Sequence, residues 1–366
     1  MSEKKDFLKL LGCIFICVVL FGSVVCIADP FYQYHAPWLD MPIVLDNAVY
    51  QTAGAARNLE YDSAIIGTSM TENIRTSWLD EELGWETMKL SYSGARSNDL
   101  QAIFEQVEKK DGALEHIVMD INDYQLTCES WTSYVVRPKY LYDDYLYNDY
   151  EYVFNHDTFV LSIERFMDGI QGVQDNTDTA YTWEEDSLFS KEIAQDTCRK
   201  LREKMIKERS EALGEDNIYL VTGQLSEELD EKLQICQENL DNITPFIEAH
   251  PETEITILVP PYSILYWEER VLDGDLEDML AIYAYAYKTF LQYDNVRMFY
   301  FQNEQELITN LDNYRDNAHH KPEYNRYMID CMISGKNELT LENYKEKLAG
   351  TYDFVKDYPY ASLWEE

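Results

Sequence analysis

Five short apolar runs separated by helical patterns constrain this chain more than any other feature. Residues 63–67, 87–90, 116–121, 254–259 and 296–301 each have strand length and strand composition. Between them, residues 98–109 place Leu100, Ile103, Phe104 and Val107 on one helical stripe, and Met279, Tyr283, Tyr287 and Phe290 form another just before the last run. Such alternation predicts an α/β fold, a parallel sheet with helices on both faces. Helical crossovers bring the carboxyl ends of all parallel strands to one edge, where ligands bind in this architecture. Ser69, Gly94, Asn122 and Pro260 all fall just beyond predicted strand ends, so that edge gathers them.

The third and fourth runs are separated by a stretch of about 124–253, too long for a simple crossover and therefore expected to hold structure of its own. Residues 187–213 and 227–247 read as amphipathic helices, with Leu213-Gly214 as a helix stop. Tyr140 to Tyr152 alternates aromatic and acidic residues. Its rings suit either a platform for sugar rings or ordinary packing with the hydroxyls in water. Neither an internal repeat nor a long low-complexity linker interrupts the chain.

Near the start, residues 10–28 contain no charged side chain, and roughly 20 apolar residues suffice for a helix to cross the hydrocarbon core. Lys4, Lys5 and Lys9 precede this run and Asp29 follows it, which by the positive-inside tendency leaves residues 1–9 cytoplasmic and the rest outside. A cleaved signal peptide is the competing reading, but Val25-Cys26-Ile27-Ala28 lacks a clear small-residue cleavage pair. The expected organisation is a cytoplasmic segment 1–9, a transmembrane helix 10–28, an extended aromatic and proline-punctuated lead 29–60, and an α/β domain 61–366 that carries the insertion.

The whole chain of 366 residues has a formal charge of −38; its first nine residues hold one net positive charge, so the remainder carries about −39. Nucleic acid is thereby excluded as an expected partner, because phosphate binding needs a basic surface. A negative exterior also repels anionic head groups, so membrane association is expected to rest on the N-terminal helix alone. Cys13, Cys17 and Cys26 lie in the apolar run, and Cys128, Cys198, Cys236 and Cys331 are scattered without zinc spacing, which favours free buried thiols over disulfides.

Two distant segments carry the chemistry. Ala64-Ile65-Ile66-Gly67-Thr68-Ser69 puts a serine on a strand-to-helix turn, and Asp316-Asn317-Ala318-His319 supplies a histidine with a carboxylate three residues before it. A serine is inert until a base takes its proton. A carboxylate on one ring nitrogen fixes the tautomer that makes the other nitrogen that base. Ser69 also fits a helix N-cap, with Glu72 three residues on completing a capping box. Ser263, in Pro260-Pro261-Tyr262-Ser263, has no glycine turn before it and no base paired to it, so it reads as part of a rigid turn. His319 and His320 are adjacent, and side chains so placed diverge, so no metal site is expected.

These segments resemble the SGNH (GDSL-like) hydrolases and acyltransferases, in particular the membrane-tethered bacterial kind related to alginate O-acetylation and D-alanyl-transfer proteins. Gly67-Thr68-Ser69 is similar to the family's first block, Ser91-Tyr92-Ser93-Gly94 to its glycine block, and Asp316 to His319 to its Asp-x-x-His block. Asp120-Ile121-Asn122-Asp123 matches the asparagine block with Asp120 where the family has Gly. The resemblance implies a three-layer flavodoxin-like fold, a Ser69-His319-Asp316 triad, and an oxyanion hole from the N–H groups of Ser69 and Gly94 and the side chain of Asn122. It implies no metal and no organic cofactor. Asn73, Tyr262 and His320 are expected to border the pocket. The implied activity is hydrolysis of an acyl ester, with acetyl expected, on a cell-surface or exported glycan, or transfer of the acyl group beside a multi-span membrane partner. A tethered glycan-binding or scaffold protein that keeps the fold without turnover is the alternative, and the altered asparagine block favours it.

Overall fold

The structure, a computed structural model, describes residues 2–183, 185 and 188–365. The chain forms two units. The larger comprises Asp62–Gln101, Leu114–Tyr134 and Thr182–Glu366, and the smaller Met1–Tyr61, Ala102–Ala113 and Val135–Tyr181.

All strands of the sheet lie in the larger unit: β1 Ser63–Ile66, β2 Thr87–Lys89, β3 His116–Asp120, β4 Glu254–Val259, β5 Val296–Tyr300 and β6 Glu338–Leu339. Their order is β2-β1-β3-β4-β5-β6. The five expected strands pair in parallel, with Ile65 beside Val118 and Ile257 beside Met298. Both faces are covered, so the strands read as continuous apolar runs instead of alternating ones. Ile65, Val118, Leu258 and Phe299 meet Ile74, Leu79, Met328 and Ile329 in one buried cluster. Burying each such side chain contributes about 1.5–3 kcal/mol.

The sheet departs from the expected all-parallel form at one edge. β6 pairs antiparallel with β5 through Met298 and Leu339, which makes the sheet mixed. Two residues are too few to show any periodicity. Left-handed Gly335 and Asn337, at φ 73° and 65°, turn the chain after the helix Pro322–Ser334 so that it returns along β5.

Helices follow the expected stripes with shifted bounds. Ser97–Val107 lies between β2 and β3, and Leu276–Phe290 buries Met279, Tyr283, Tyr287 and Phe290. The expected helix over 187–213 is observed as Lys191–Leu213, ending at Gly214 with φ 86°; Ser187 lies outside the described residues. The span 227–247 is two helices, Leu229–Leu240 and Thr244–Ala249. Pro245 explains the break: it has no N–H to donate and starts the second helix at its first turn.

In the smaller unit the N-terminal helix runs Ser2–Ala28, and Lys4–Ala28 is long and apolar enough to cross a membrane. The 29–60 segment is not an extended lead. Asp29 adopts φ 40° and its buried carboxylate accepts hydrogen bonds from the N–H groups of Gln33, Tyr34 and His35 and from the Tyr152 hydroxyl at 2.6–3.0 Å. These bonds fold the chain back on itself, and a helix, Ala48–Asn58, follows. Burial raises the Asp29 carboxyl above its ordinary pKa, and the same hydrogen bonds oppose that rise. Tyr152 and Leu141, from the Tyr-rich segment, pack with Val25 and Phe31, whereas Tyr145, Tyr147 and Tyr150 are exposed.

Candidate active site

The turn after β1 is built around a close approach. Gly67 has φ +153°, and a β-carbon there would lie 2.0 Å from Oδ1 of Asp120, at the end of β3. That carboxylate accepts from the Thr68 N–H at 2.7 Å, the Thr68 hydroxyl at 2.8 Å and the Asn122 amide at 3.0 Å. Burial pushes the Asp120 carboxyl upward, and these hydrogen bonds pull it back. Asp120 therefore clamps the serine turn, and a glycine at 67 is what lets it come so near.

Thr68, not Ser69, caps the short helix Ser69–Glu72, its hydroxyl accepting from the Met70 N–H at 3.2 Å. The N-cap reading of Ser69 is thus replaced by one in which its hydroxyl is turned elsewhere. Ser69 Oγ lies 2.8 Å from Nε2 of His319. Nδ1 of His319 is 2.7 Å from Oδ2 of Asp316, and the other oxygen of Asp316 accepts from the N–H groups of Ala318 and His319. Burial alone would raise the Asp316 carboxyl, but its contacts with His319 and Ala318 outweigh it and hold the pKa below the ordinary carboxylate value. A serine held in this way can pass its proton to a ring whose second nitrogen faces a carboxylate.

The loop that carries this pair is braced from β4. Ser263 caps the helix Ile264–Asp273, and both its N–H and its hydroxyl donate to the carbonyl of Asn317 at 2.9 Å. The Asn317 amide reaches Glu269 at 2.9 Å. Burial lifts the Glu269 carboxyl to about 7.

Ser69 and His319 open on a cavity of about 570 Å³ whose lining includes Gly94, Asn122, Tyr124, Tyr134, Trp183 and Tyr262. Gly94 has φ +73°, and a β-carbon on it would lie 2.3 Å from the Tyr134 ring. Asn122 also caps the helix Asp123–Thr127 in a capping box with Gln125, so its amide oxygen is committed to the Gln125 N–H. Its amide nitrogen faces Asp120 and, at 3.4 Å, the Thr68 hydroxyl.

Two residues expected at the pocket stand behind it. Asn73 accepts from the Trp183 N–H at 2.8 Å and so fixes the wall without being part of it. His320 is only 2% exposed and packs among Tyr314 and Tyr324, with Nδ1 at 3.1 Å from the Lys321 carbonyl and Nε2 without a partner. Adjacent residues on an extended segment point to opposite sides, which sends His319 to the cavity and His320 to the core.

Burial lowers the His320 pKa from 6.5 to about 4. Above 6.5 neither the folded nor the unfolded chain holds this proton. As pH falls from 6.5 toward 4, only the unfolded chain takes it up, and about 3 kcal/mol of stability is lost over that window. Replacing His320 with Phe is expected to remove this component. Denaturant unfolding of both proteins at pH 7 and pH 4 measures it, and equal losses in the two would contradict it.

Trp183 escaped the sequence reading altogether. Its indole N–H donates to Glu72 at 3.0 Å, its ring stands perpendicular to that of His319 at 5.3 Å between centroids, and the Arg315 guanidinium covers its face at 5.4 Å. Glu72 also takes the Ser93 hydroxyl, and burial raises its carboxyl. Trp183 lies outside every helical or strand pattern of the long connection, so nothing local signals this role. Among the described residues no group of three His, Cys, Asp or Glu is placed to hold a metal ion, and none of the cysteines is in a disulfide. No protein-family model matches this chain, and no curated protein matches it.

Proposed function

We propose that this chain is a serine-dependent esterase or O-acyltransferase of SGNH type, acting on acyl esters, with acetyl the expected group, of a glycan outside the cytoplasm. The observation that carries the reading is the relay from Ser69 through His319 to Asp316, with contacts of 2.8 and 2.7 Å, at the edge of one cavity. The order β2-β1-β3-β4-β5 is that of flavodoxin-like sheets, in which ligands bind beyond the carboxyl ends of the strands. That order supports the three-layer SGNH assignment.

In the proposed cycle His319 takes the Ser69 proton as Oγ attacks the ester carbonyl. The developing oxyanion is met by the N–H groups of Ser69 and Gly94, with the Asn122 side chain as the third donor. His319 then gives its proton to the departing alcohol oxygen, leaving the acyl group on Ser69. Water or a sugar hydroxyl next loses its proton to His319, attacks the acyl carbon and returns Ser69 to its starting state. Whether the product is a free acid or a new ester depends on whether the acceptor excludes water from the cavity. Tyr124 and Tyr134, both exposed, offer ring faces on which sugars stack. Lys4–Ala28 serves as an uncleaved anchor with the basic end cytoplasmic, and for transfer the resemblance points to a multi-span membrane acyltransferase as partner.

A tethered glycan binder without turnover is the competing reading. It draws on Asp120, whose carboxylate holds the Asn122 amide that would serve the oxyanion. A fluorophosphonate probe separates the two. Labelling of the wild-type chain that persists in Ser263→Ala and vanishes in Ser69→Ala is expected. A chain that stays unlabelled while a control serine hydrolase reacts would favour the binder.

A further inference from the structure

The helix His156–Gln171 presents an apolar stripe to solvent. Val160, Ile163, Met167 and Ile170, at helical spacing, are all exposed, Ile170 by 78%. Arg165, which points the other way, is buried and paired with Asp46 and Asp168. The buried side of the helix is Thr158, Ser162 and Arg165 with Phe159 and Leu161 packed beside them, and Glu164 is exposed next to the stripe, so four of the helix's apolar side chains are left facing outward.

The N-terminal helix shows what meets that stripe. Its uncharged residues, 10–28, rise about 28 Å, close to the thickness of about 30 Å of a hydrocarbon core. If this helix crosses a bilayer, the hydrocarbon boundary at its carboxyl end therefore falls near Ala28, and Phe21 lies about 10 Å inside it. The Phe21 ring stacks on Phe159 at 4.2 Å, and a β-carbon on Gly22 would touch Val153 at 3.2 Å. One end of the helix His156–Gln171 is thus tied to the level of Phe21.

The other end is tied nearby. A β-carbon on Gly169 would lie 3.4 Å from the Asp40 carbonyl oxygen. The segment that carries Asp40 is pinned through His35, whose Nε2 is 2.8 Å from the Cys26 carbonyl and whose ring stacks on Trp38 at 3.7 Å. Trp38 and Leu39 are themselves 52% and 72% exposed. Tryptophan with apolar neighbours is the composition of the membrane–water interface.

We propose that the helix His156–Gln171, with Trp38 and Leu39, lies against the membrane beside the carboxyl end of the span, its stripe Val160-Ile163-Met167-Ile170 in contact with lipid. This rests on reading Lys4–Ala28 as a membrane span. It replaces the expectation that one helix alone holds the protein to the membrane. The contact is apolar, so it does not require anionic lipid and is compatible with the strongly negative chain. Its consequence is orientation: a single span leaves the smaller unit free to tilt, and a second contact fixes it against the bilayer plane.

The test uses the full-length chain in phosphatidylcholine nanodiscs, with p-benzoylphenylalanine placed in turn at Leu11, Ile163 and Ile170, and mass spectrometry to find lipid adducts after irradiation. Adducts at Ile163 and Ile170 are expected at yields similar to that at Leu11, and none in the unirradiated chain. Adducts at Leu11 with none at Ile163 or Ile170 would overturn the proposal and leave the span intact. A protein adduct at either position would overturn it in favour of a protein partner. Absence at all three would reject the span itself and the proposal with it. Val160 and Met167 serve as the second pair if either probe prevents folding.

Discussion

His319→Ala is expected to lower ester turnover by about 10⁴- to 10⁶-fold while the protein remains folded. The size follows from the arrangement: with the ring gone, nothing at 2.8 Å takes the proton of Ser69, and a neutral serine hydroxyl is a poor nucleophile. Asp316→Asn should cost about 10⁴-fold by a different route, because an amide at 2.7 Å from Nδ1 can present its N–H and favour the wrong tautomer. Combining either change with Ser69→Ala should add little, since the three groups act as one unit. Hydrolysis of an activated acetyl ester, measured as kcat and KM separately, checks this. A fall in kcat of less than tenfold for His319→Ala would remove His319 from the reaction.

The second large effect is expected at Gly94. An alanine there must hold φ near +73° and place its β-carbon 2.3 Å from the Tyr134 ring, so both the backbone and the ring must shift. The backbone penalty is about 1–3 kcal/mol. If the Gly94 N–H is an oxyanion donor, its displacement lowers kcat by about 10²- to 10³-fold. Tyr134→Ala removes the clash but not the backbone preference. The double variant Gly94→Ala/Tyr134→Ala should therefore regain stability relative to Gly94→Ala and recover only part of kcat. Thermal unfolding and turnover of the three variants separate the steric part from the electronic one. Full activity in Gly94→Ala would show that this N–H is not used.

Much of the sheet was legible because its strands are covered on both faces. Glu254–Val259 reads as strand from composition alone, and a parallel sheet follows once helical stripes stand between such runs. The meeting of Ser69 with the segment Asp316 to His319 could be anticipated because a residue just beyond a strand end lies at the ligand-binding edge, and because both segments resemble blocks of the SGNH pattern. What stayed hidden depends on contacts between segments far apart in the chain. Asp120 looks in the sequence like a defect in the asparagine block, but it fills the space that Gly67 leaves and holds Thr68 in place.

Trp183 and Tyr134 illustrate the same limit on the substrate side. Each lies in an irregular stretch without periodicity, and only the fold reveals that one stands perpendicular to the His319 ring and the other rests on Gly94. His320 shows the opposite error: proximity in sequence to His319 suggested the pocket, whereas a turn of one residue put it in the core. The break at Pro245 was visible in the residue itself, but the apolar pattern on both sides of it masked the division.

Rapid acid quench of the wild-type chain with an activated acetyl ester, followed by peptide mass spectrometry, tests the nucleophile most directly. An acetyl group on the peptide that contains Ser69, formed faster than product and absent from His319→Ala, is the predicted result. Turnover of the ester with no acyl group on Ser69, or with the group on Ser263, would contradict it.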